Sequence, residues 1–139
     1  MPHPALTHNS VAVVTGGAAG IGLAAATKFA RLGLRVCIAD LGEERLASAA
    51  SVLSGAASNG AASIMAMAAD VSRIDDVRKL ELAVLQRFGS IDVLMNNAGV
   101  QPGSGMFGPA ANWQNVIGIN LWGVIHGTQV FVSGMIECR

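Results

Sequence analysis

The chain of 139 residues carries nine basic and nine acidic side chains, so its formal net charge is zero. This balance provides no electrostatic footprint for nucleic acid or for an anionic membrane surface, and we expect neither as a partner. The length fits one domain, residues 1–139, and 52% of the residues are apolar, which suits a buried parallel sheet covered by helices.

The residue types that bind metals are sparse. Cys37 and Cys138 lack the spacing of a metal site or of a disulfide framework, which favours a reducing, cytoplasmic location without a secretory signal. His126 has no ligand partner at metal spacing, so we expect a surface or packed histidine and no bound metal. The most apolar stretch, residues 116–125, is too short to span a bilayer.

Strand and helix patterns alternate along the chain. Continuous apolar runs predict strands over residues 11–15, 35–40, 64–70 and 91–95. Amphipathic periodicity predicts helices that start after the glycines near residue 20, cover 43 to about 53, run from 72 to 88, and begin again at 112. Residues 54–63 and 96–108 are expected to be loops. Ser72 and Asp75 have the spacing of a capping box for the third helix.

This strict alternation predicts an α/β fold with a parallel sheet and right-handed crossovers. Two consecutive βαβ units make up the first half of a Rossmann-type doubly wound fold, with strand order 3-2-1-4. A complete sheet of this type continues beyond the fourth strand. We therefore expect a truncated fold in which the later strands are missing.

Residues 15–22 read T-G-G-A-A-G-I-G and join the first strand to the first helix. Gly16, Gly20 and Gly22 let the backbone approach a pyrophosphate, and the helix N-terminus offers free N–H groups to the phosphates. Asp40 follows at close to the spacing of about 20 residues that is typical of a ribose-binding acid. These features favour a dinucleotide site. The alternative is a tight turn without a ligand.

Asp40 bears on the choice of cofactor. A carboxylate at the end of the second strand accepts hydrogen bonds from ribose hydroxyls and repels a 2′-phosphate. Neither Ala19 nor Leu41, the positions beside Gly20 and Asp40, supplies a cation for that phosphate. The sequence therefore favours NAD over NADP. The alternative is that Asp40 only caps the next helix.

Five motifs in order resemble the short-chain dehydrogenase/reductase family: residues 15–22, Asp40, Asp70-Val71, the N-N-A-G of residues 96–99, and Asn120. The resemblance spans nearly the whole chain but only the N-terminal part of the family's domain. It implies an NAD(H)-dependent oxidoreductase that interconverts a small alcohol and a ketone. It also implies homo-oligomers, or dependence on a partner.

The resemblance implies a set of cofactor-binding residues, which run from the pyrophosphate turn to the wall after strand four: Gly16, Gly20, Ile21, Gly22, Asp40, Asp70, Val71, Asn97, Ala98 and Gly99. Asp70 and the backbone of Val71 would meet the adenine amino edge, unless Asp70 is only a helix-start acid beside Ser72. Asn120 would belong to the catalytic set by bending its helix and ordering a proton-relaying water. The alternative is a structural asparagine bonded to nearby backbone.

The family's catalytic serine and Tyr-x-x-x-Lys lie beyond Asn120, and this chain contains no tyrosine. In that chemistry the tyrosine exchanges a proton with the substrate oxygen while nicotinamide exchanges the hydride. We therefore expect the chain alone to bind dinucleotide weakly at best and to be inactive. The alternative is a non-catalytic nucleotide-binding or interaction protein that associates with a full-length relative through exposed edges.

Overall fold

The computed structural model describes residues 3–103 and 105–138 and contains one parallel sheet flanked by helices. The strands are β1 (Val11–Thr15), β2 (Arg35–Asp40), β3 (Ile64–Ala68) and β4 (Val93–Met95). The helices are α1 (Gly20–Arg31), α2 (Glu43–Ala56), α3 (Ile74–Phe88), α4 (Ala110–Val116) and α5 (Gly123–Glu137), with a π-helical segment, Ile117–Trp122, between the last two. Single 3-10 turns cover Pro4–Leu6 and Ala61–Ser63.

The sheet order is β3-β2-β1-β4, and all three strand pairs are parallel, which confirms the predicted fold class. Ser104, within the predicted loop 96–108, lies outside the described residues, as do Met1, Pro2 and Arg139 at the two ends of the chain.

The central strand β1 is buried along its whole length. Consecutive side chains of a strand point to opposite faces of the sheet, so β1 contributes to two separate clusters. Val11 and Val13 pack in one cluster with the apolar faces of α3 and α5. Ala12 and Val14 pack in the other with α1 and α2. Burial on both faces explains why the strand is a continuous apolar run.

Several element boundaries differ from the predicted ones, and the last helical region begins at Ala110 and not at residue 112. α2 continues to Ala56 through residues expected to form a loop, and Leu53 in its last turns is fully buried. β3 ends at Ala68 because that residue pairs with Asp40, the last residue of β2. β4 begins at Val93, the first residue that pairs with β1.

The predicted capping box at the start of α3 is wrong. The helix begins at Ile74, and Arg73 precedes it as an N-cap without a side-chain hydrogen bond. Ser72 instead donates from Oγ to Asp70 Oδ1 at 2.6 Å, and Asp75 pairs with Arg78 on the exposed surface. The serine is thus engaged by the acid before it and is unavailable to the helix that follows.

The last 28 described helical residues, Ala110–Glu137, form a continuous helix that is long and apolar enough to cross a membrane by length and composition. This helix is longer than the apolar run of residues 116–125, whose short length was the reason for expecting no membrane-spanning segment. Gly123, Gly127 and Phe131 on it are buried against the domain, and the core helix of a soluble protein meets the same criterion. The absence of a membrane partner therefore stays a prediction.

Candidate functional site

The turn between β1 and α1 places bare backbone at the carboxyl end of the sheet. Gly16 and Gly20 have φ values of +64° and +54°, which side-chain-bearing residues rarely adopt. α1 begins at Gly20, and Ala19 before it makes no side-chain cap, so the first N–H groups of the helix are available to a ligand. Ile21, 76% exposed, projects at the rim of this turn.

Gly22 is buried and serves the packing of the turn. A Cβ there would overlap the carbonyl oxygen of Gly16 and would lie 2.5 Å from Asn97 Nδ2. The third glycine therefore lets α1 approach the end of β1, and it does not line the neighbouring cavity.

Asp40 joins the glycine turn to the end of β2. Its Oδ2 accepts from the N–H of Ala18 at 3.1 Å, and its Oδ1 accepts from the N–H of Leu41 at 2.8 Å. Gly42 is the N-cap of α2, so the alternative interpretation, in which Asp40 only caps that helix, is wrong. The carboxylate instead stands beside the predicted ribose site, with part of its accepting capacity used by backbone.

Arg45 is a site residue that the sequence analysis missed. Its Nη2 lies 2.8 Å from Asp40 Oδ1 and also donates to the carbonyl of Leu41 at 3.0 Å. No cation stands at Ala19 or Leu41, but this arginine reaches the same place from the first turn of α2. An arginine five residues after a strand-ending acid, on the following helix, is the signal that would have found it.

Asp70 and Val71 lie between β3 and α3. Asp70 Oδ1 accepts from both the N–H and the Oγ of Ser72, at 2.9 and 2.6 Å, while the N–H of Asp70 donates to Asp76 Oδ2. The bonds to Ser72 form a compact turn ahead of the helix, so Asp70 is not the cap of α3. Val71 is 6% exposed.

The N-N-A-G segment fastens β4 to β1. Asn97 Nδ2 donates to the carbonyls of Thr15 and Gly16, both at 3.1 Å. The N–H groups of Asn97 and Ala98 in turn donate to Thr15 Oγ1 at 3.0 and 3.2 Å. These hydrogen bonds tie the segment after β4 to the end of β1. Asn96 Oδ1 is buried without a partner among the described residues and packs against Gly127.

Asn120 lies within the π-helical segment and is exposed. Its Oδ1 accepts from the N–H of Val100 at 2.8 Å, and its Nδ2 donates to the carbonyl of Val100 at 2.9 Å. Both ends of the amide are thus paired with one backbone residue, which is the structural role left open above. The irregular helix fits the expected local distortion at this asparagine.

These elements surround a cavity of about 500 Å³, a size typical of small-molecule sites. It is lined by Gly16, Ala19, Gly20, Ile21, Ala39, Asp40, Leu41, Arg45, Ala69, Asp70, Val71, Asn97, Ala98, Gly99, Val100 and Ile119. Nine of the ten predicted cofactor residues are brought together there. Gly22 and the predicted catalytic Asn120 stand outside the lining.

Other titratable groups do not join this site. Burial raises the pKa of Cys37 to about 12, which makes it an unreactive core thiol, although Arg87 opposes part of that rise. Burial also raises the pKa of Glu81 on α3. Among residues 3–103 and 105–138, no three His, Cys, Asp or Glu side chains are grouped as a metal site.

A family model described as short chain dehydrogenase matches residues 10–139. The chain belongs to this family. It is 40% identical over 116 residues to the short chain dehydrogenase/reductase dpmpG of Macrophomina phaseolina, covering 80% of this chain and 63% of the relative. It is 39% identical over 127 residues to the L-rhamnose 1-dehydrogenase (NAD(P)(+)) of Azotobacter vinelandii, covering 90% of this chain and 49% of the relative.

Among solved structures, the chain resembles a short chain dehydrogenase/reductase from Burkholderia phymatum in complex with NAD. The TM-score is 0.88 at 36% identity, with 96% of this chain and 46% of that one covered. The short-chain dehydrogenase chain described here therefore spans about half the length of the relatives it matches. The fold of this chain is shared with that family.

Proposed function

We propose that this chain is the cofactor-binding part of an NAD(H)-dependent oxidoreductase that interconverts a secondary alcohol and a ketone. The observation that carries the proposal is the cavity in which the glycine turn, Asp40 and Asp70 share one site at the carboxyl ends of the strands. When bound, the nicotinamide supplies hydride transfer.

The residues present fit a dinucleotide. The backbone of Gly16 and Gly20, with the free N–H groups of α1, suits the pyrophosphate, because a helix N-terminus favours anions. Asp40 would accept from the adenosine ribose, and Asp70 with Val71 would meet adenine. Asn97, Ala98 and Gly99 would form the adjoining wall. NAD is favoured over NADP because the Asp40 carboxylate repels a 2′-phosphate.

Binding of NADH by the purified chain tests this proposal through the fluorescence of the reduced nicotinamide. The matched variant is Gly20→Val, which places a β-branched side chain at a positive-φ position in the turn. We expect NADH to bind the wild type more tightly than the variant, and NADH to bind more tightly than NADPH. Equal NADH binding by the two proteins would exclude the glycine turn as the phosphate site.

Because the chain lacks a tyrosine, we propose that it does not turn over substrate when it is alone. Mixed with NADH and a panel of ketones, it should show no rate above background. Turnover by the purified chain would overturn the assignment of catalysis to a serine and a Tyr-x-x-x-Lys outside this sequence. We propose that the substrate of the complete enzyme is a small alcohol or ketone. We also propose a cytoplasmic location.

The alternative function is association with a full-length relative or with another copy. Large apolar side chains stand exposed along the final helix: Trp113, Ile117, Leu121, Trp122, Val124 and Ile136. β4 is only half-buried. Such surfaces favour a partner. Sedimentation velocity of the purified chain would distinguish a monomer from an associated state. A compact monomer at high concentration would show that the chain needs no partner.

A further inference from the structure

Helix α5 contacts the adenine side of the cavity through His126. The ring Nδ1 lies 2.8 Å from the carbonyl oxygen of Val71, a residue 55 positions earlier in the chain. A carbonyl oxygen only accepts, so Nδ1 must carry the proton that is donated. The ring also lies beside Trp122, with centroids 5.7 Å apart.

The same helix approaches Val71 very closely one turn earlier. A Cβ on Gly123 would lie 2.6 Å from Val71 Cγ2, so only glycine permits this distance. Helix α5 therefore contacts Val71 at two points: His126 donates to its carbonyl, and the bare backbone of Gly123 packs against its side chain.

The peptide bond that His126 holds is also bonded at its other end. The Val71 carbonyl belongs to the same planar peptide group as the N–H of Ser72, which donates to Asp70 Oδ1 at 2.9 Å. Rotation of this peptide plane would therefore displace the Asp70 carboxylate. Asp70 Oδ2 accepts no hydrogen bond from the residues that the structure describes, so it can accept from a ligand.

We infer that His126 is a positioning residue that orients the Asp70 carboxylate, through the Val71–Ser72 peptide, to select a nucleotide base with an exocyclic amine. This inference rests on the proposed dinucleotide function. An adenine amino group donates to a carboxylate, whereas the 6-oxygen of hypoxanthine would be repelled by it. The selectivity for adenine over hypoxanthine should therefore depend on the hydrogen bond from His126.

The test compares NADH with its hypoxanthine counterpart, deamino-NADH, on the full chain and two variants. His126→Leu removes the donor, and His126→Asn keeps an amide donor near the position of Nδ1. We expect the wild type to prefer NADH, His126→Leu to lose about fivefold of that preference, and His126→Asn to retain most of it, as for one hydrogen bond.

Two results would overturn the inference. One is an equal loss of affinity for both dinucleotides in His126→Leu, which would indicate only a structural role. The other is a His126→Asn variant that behaves like His126→Leu, because the hydrogen bond would then not be the cause.

A ligand-free measurement separates this inference from the proposed function. Exchange of the Ser72 amide hydrogen should be faster in His126→Leu than in the wild type and unchanged in His126→Asn, with amides of α2 as the internal reference. If the wild type binds neither dinucleotide, the proposed function fails, while the exchange rates still decide whether His126 holds this peptide. Equal exchange in all three proteins would refute the positioning role.

Discussion

The guanidinium of Arg45 forms a salt bridge with the carboxylate of Asp40 at the rim of the cavity, with Nη2 2.8 Å from Oδ1. The acid side chain is 15% exposed and the arginine 58%, so the arginine can reorient in solvent more easily than the acid. The cavity thus presents a carboxylate that disfavours a 2′-phosphate together with a cation that could bind one.

Replacing Asp40 with Ser should shift the cofactor preference from NADH towards NADPH. The change removes the repelling charge and frees Arg45 for the phosphate, and a charge-assisted hydrogen bond is worth roughly ten- to a hundredfold in affinity. Fluorescence titration with both reduced cofactors measures the ratio. In Asp40→Ser/Arg45→Gln this gain should largely disappear; an NADPH affinity that is the same in both variants would show that Arg45 takes no part.

Replacing Thr15 with Val should destabilise the sheet. Thr15 is 3% exposed, and its Oγ1 accepts from the N–H groups of Asn97 and Ala98. Valine has a similar shape but leaves two N–H groups without this acceptor, at a cost of about 2–3 kcal/mol. Thr128→Val on the exposed surface of α5 is the control. Urea unfolding of both variants makes the comparison, and equal midpoints would contradict the prediction.

Alanine at Gly22 and at Gly55 should have opposite effects. The added Cβ at Gly22 would overlap the Gly16 carbonyl oxygen, so Gly22→Ala should lower stability by about 1–3 kcal/mol and weaken dinucleotide binding. Gly55, on α2, has open space around it, so Gly55→Ala should raise stability by about 0.5–1 kcal/mol. Thermal unfolding reports both shifts, and a Gly22→Ala protein as stable as the wild type would be incompatible with this packing.

Stability should fall at alkaline pH because of Cys37. Burial raises the pKa of this thiol from 9.0 to about 12 in the folded chain, so the unfolded chain loses the proton first. The contribution of Cys37 to the free energy of unfolding is complete below pH 9.0 and declines as the pH rises towards 12, by about 1.4 kcal/mol per pH unit. The curve for Cys37→Ala should be flatter in this window. Parallel curves would show that the thiol titrates normally.

The strand order could be predicted because its causes are local. Each strand is a short apolar run, each helix between strands is amphipathic, and right-handed crossovers then leave few arrangements. Boundaries were less predictable because they depend on partners. β3 ends at Ala68 only because β2 ends at Asp40, and Ser72 does not cap α3 because Asp70 engages it.

The glycine turn could be predicted because its glycines lie close together in the sequence, and Asp40 because it follows the turn at a typical spacing. The tie between Thr15 and Asn97 joins residues 82 positions apart, and only the motif suggested it. The contact between His126 and Val71 had no signal in the sequence, since a single histidine on an apolar helix is usually a packed residue. Asn120 was expected to belong to a catalytic set or to bond nearby backbone, and its partner, Val100, is 20 positions earlier in the chain and could not be named from the sequence.

The π-helical segment also fixes the helical phase of α5. A π turn acts as a helix with one extra residue, and each residue of an α-helix advances by about 100°. Deleting one residue between Ile117 and Trp122 would therefore let the segment rewind as α-helix while α5 keeps its orientation. The same extra residue carried in a regular α-helix would instead rotate α5 by about 100° and turn Gly123 and His126 away from Val71, so the π turn preserves the side of the helix that meets the sheet.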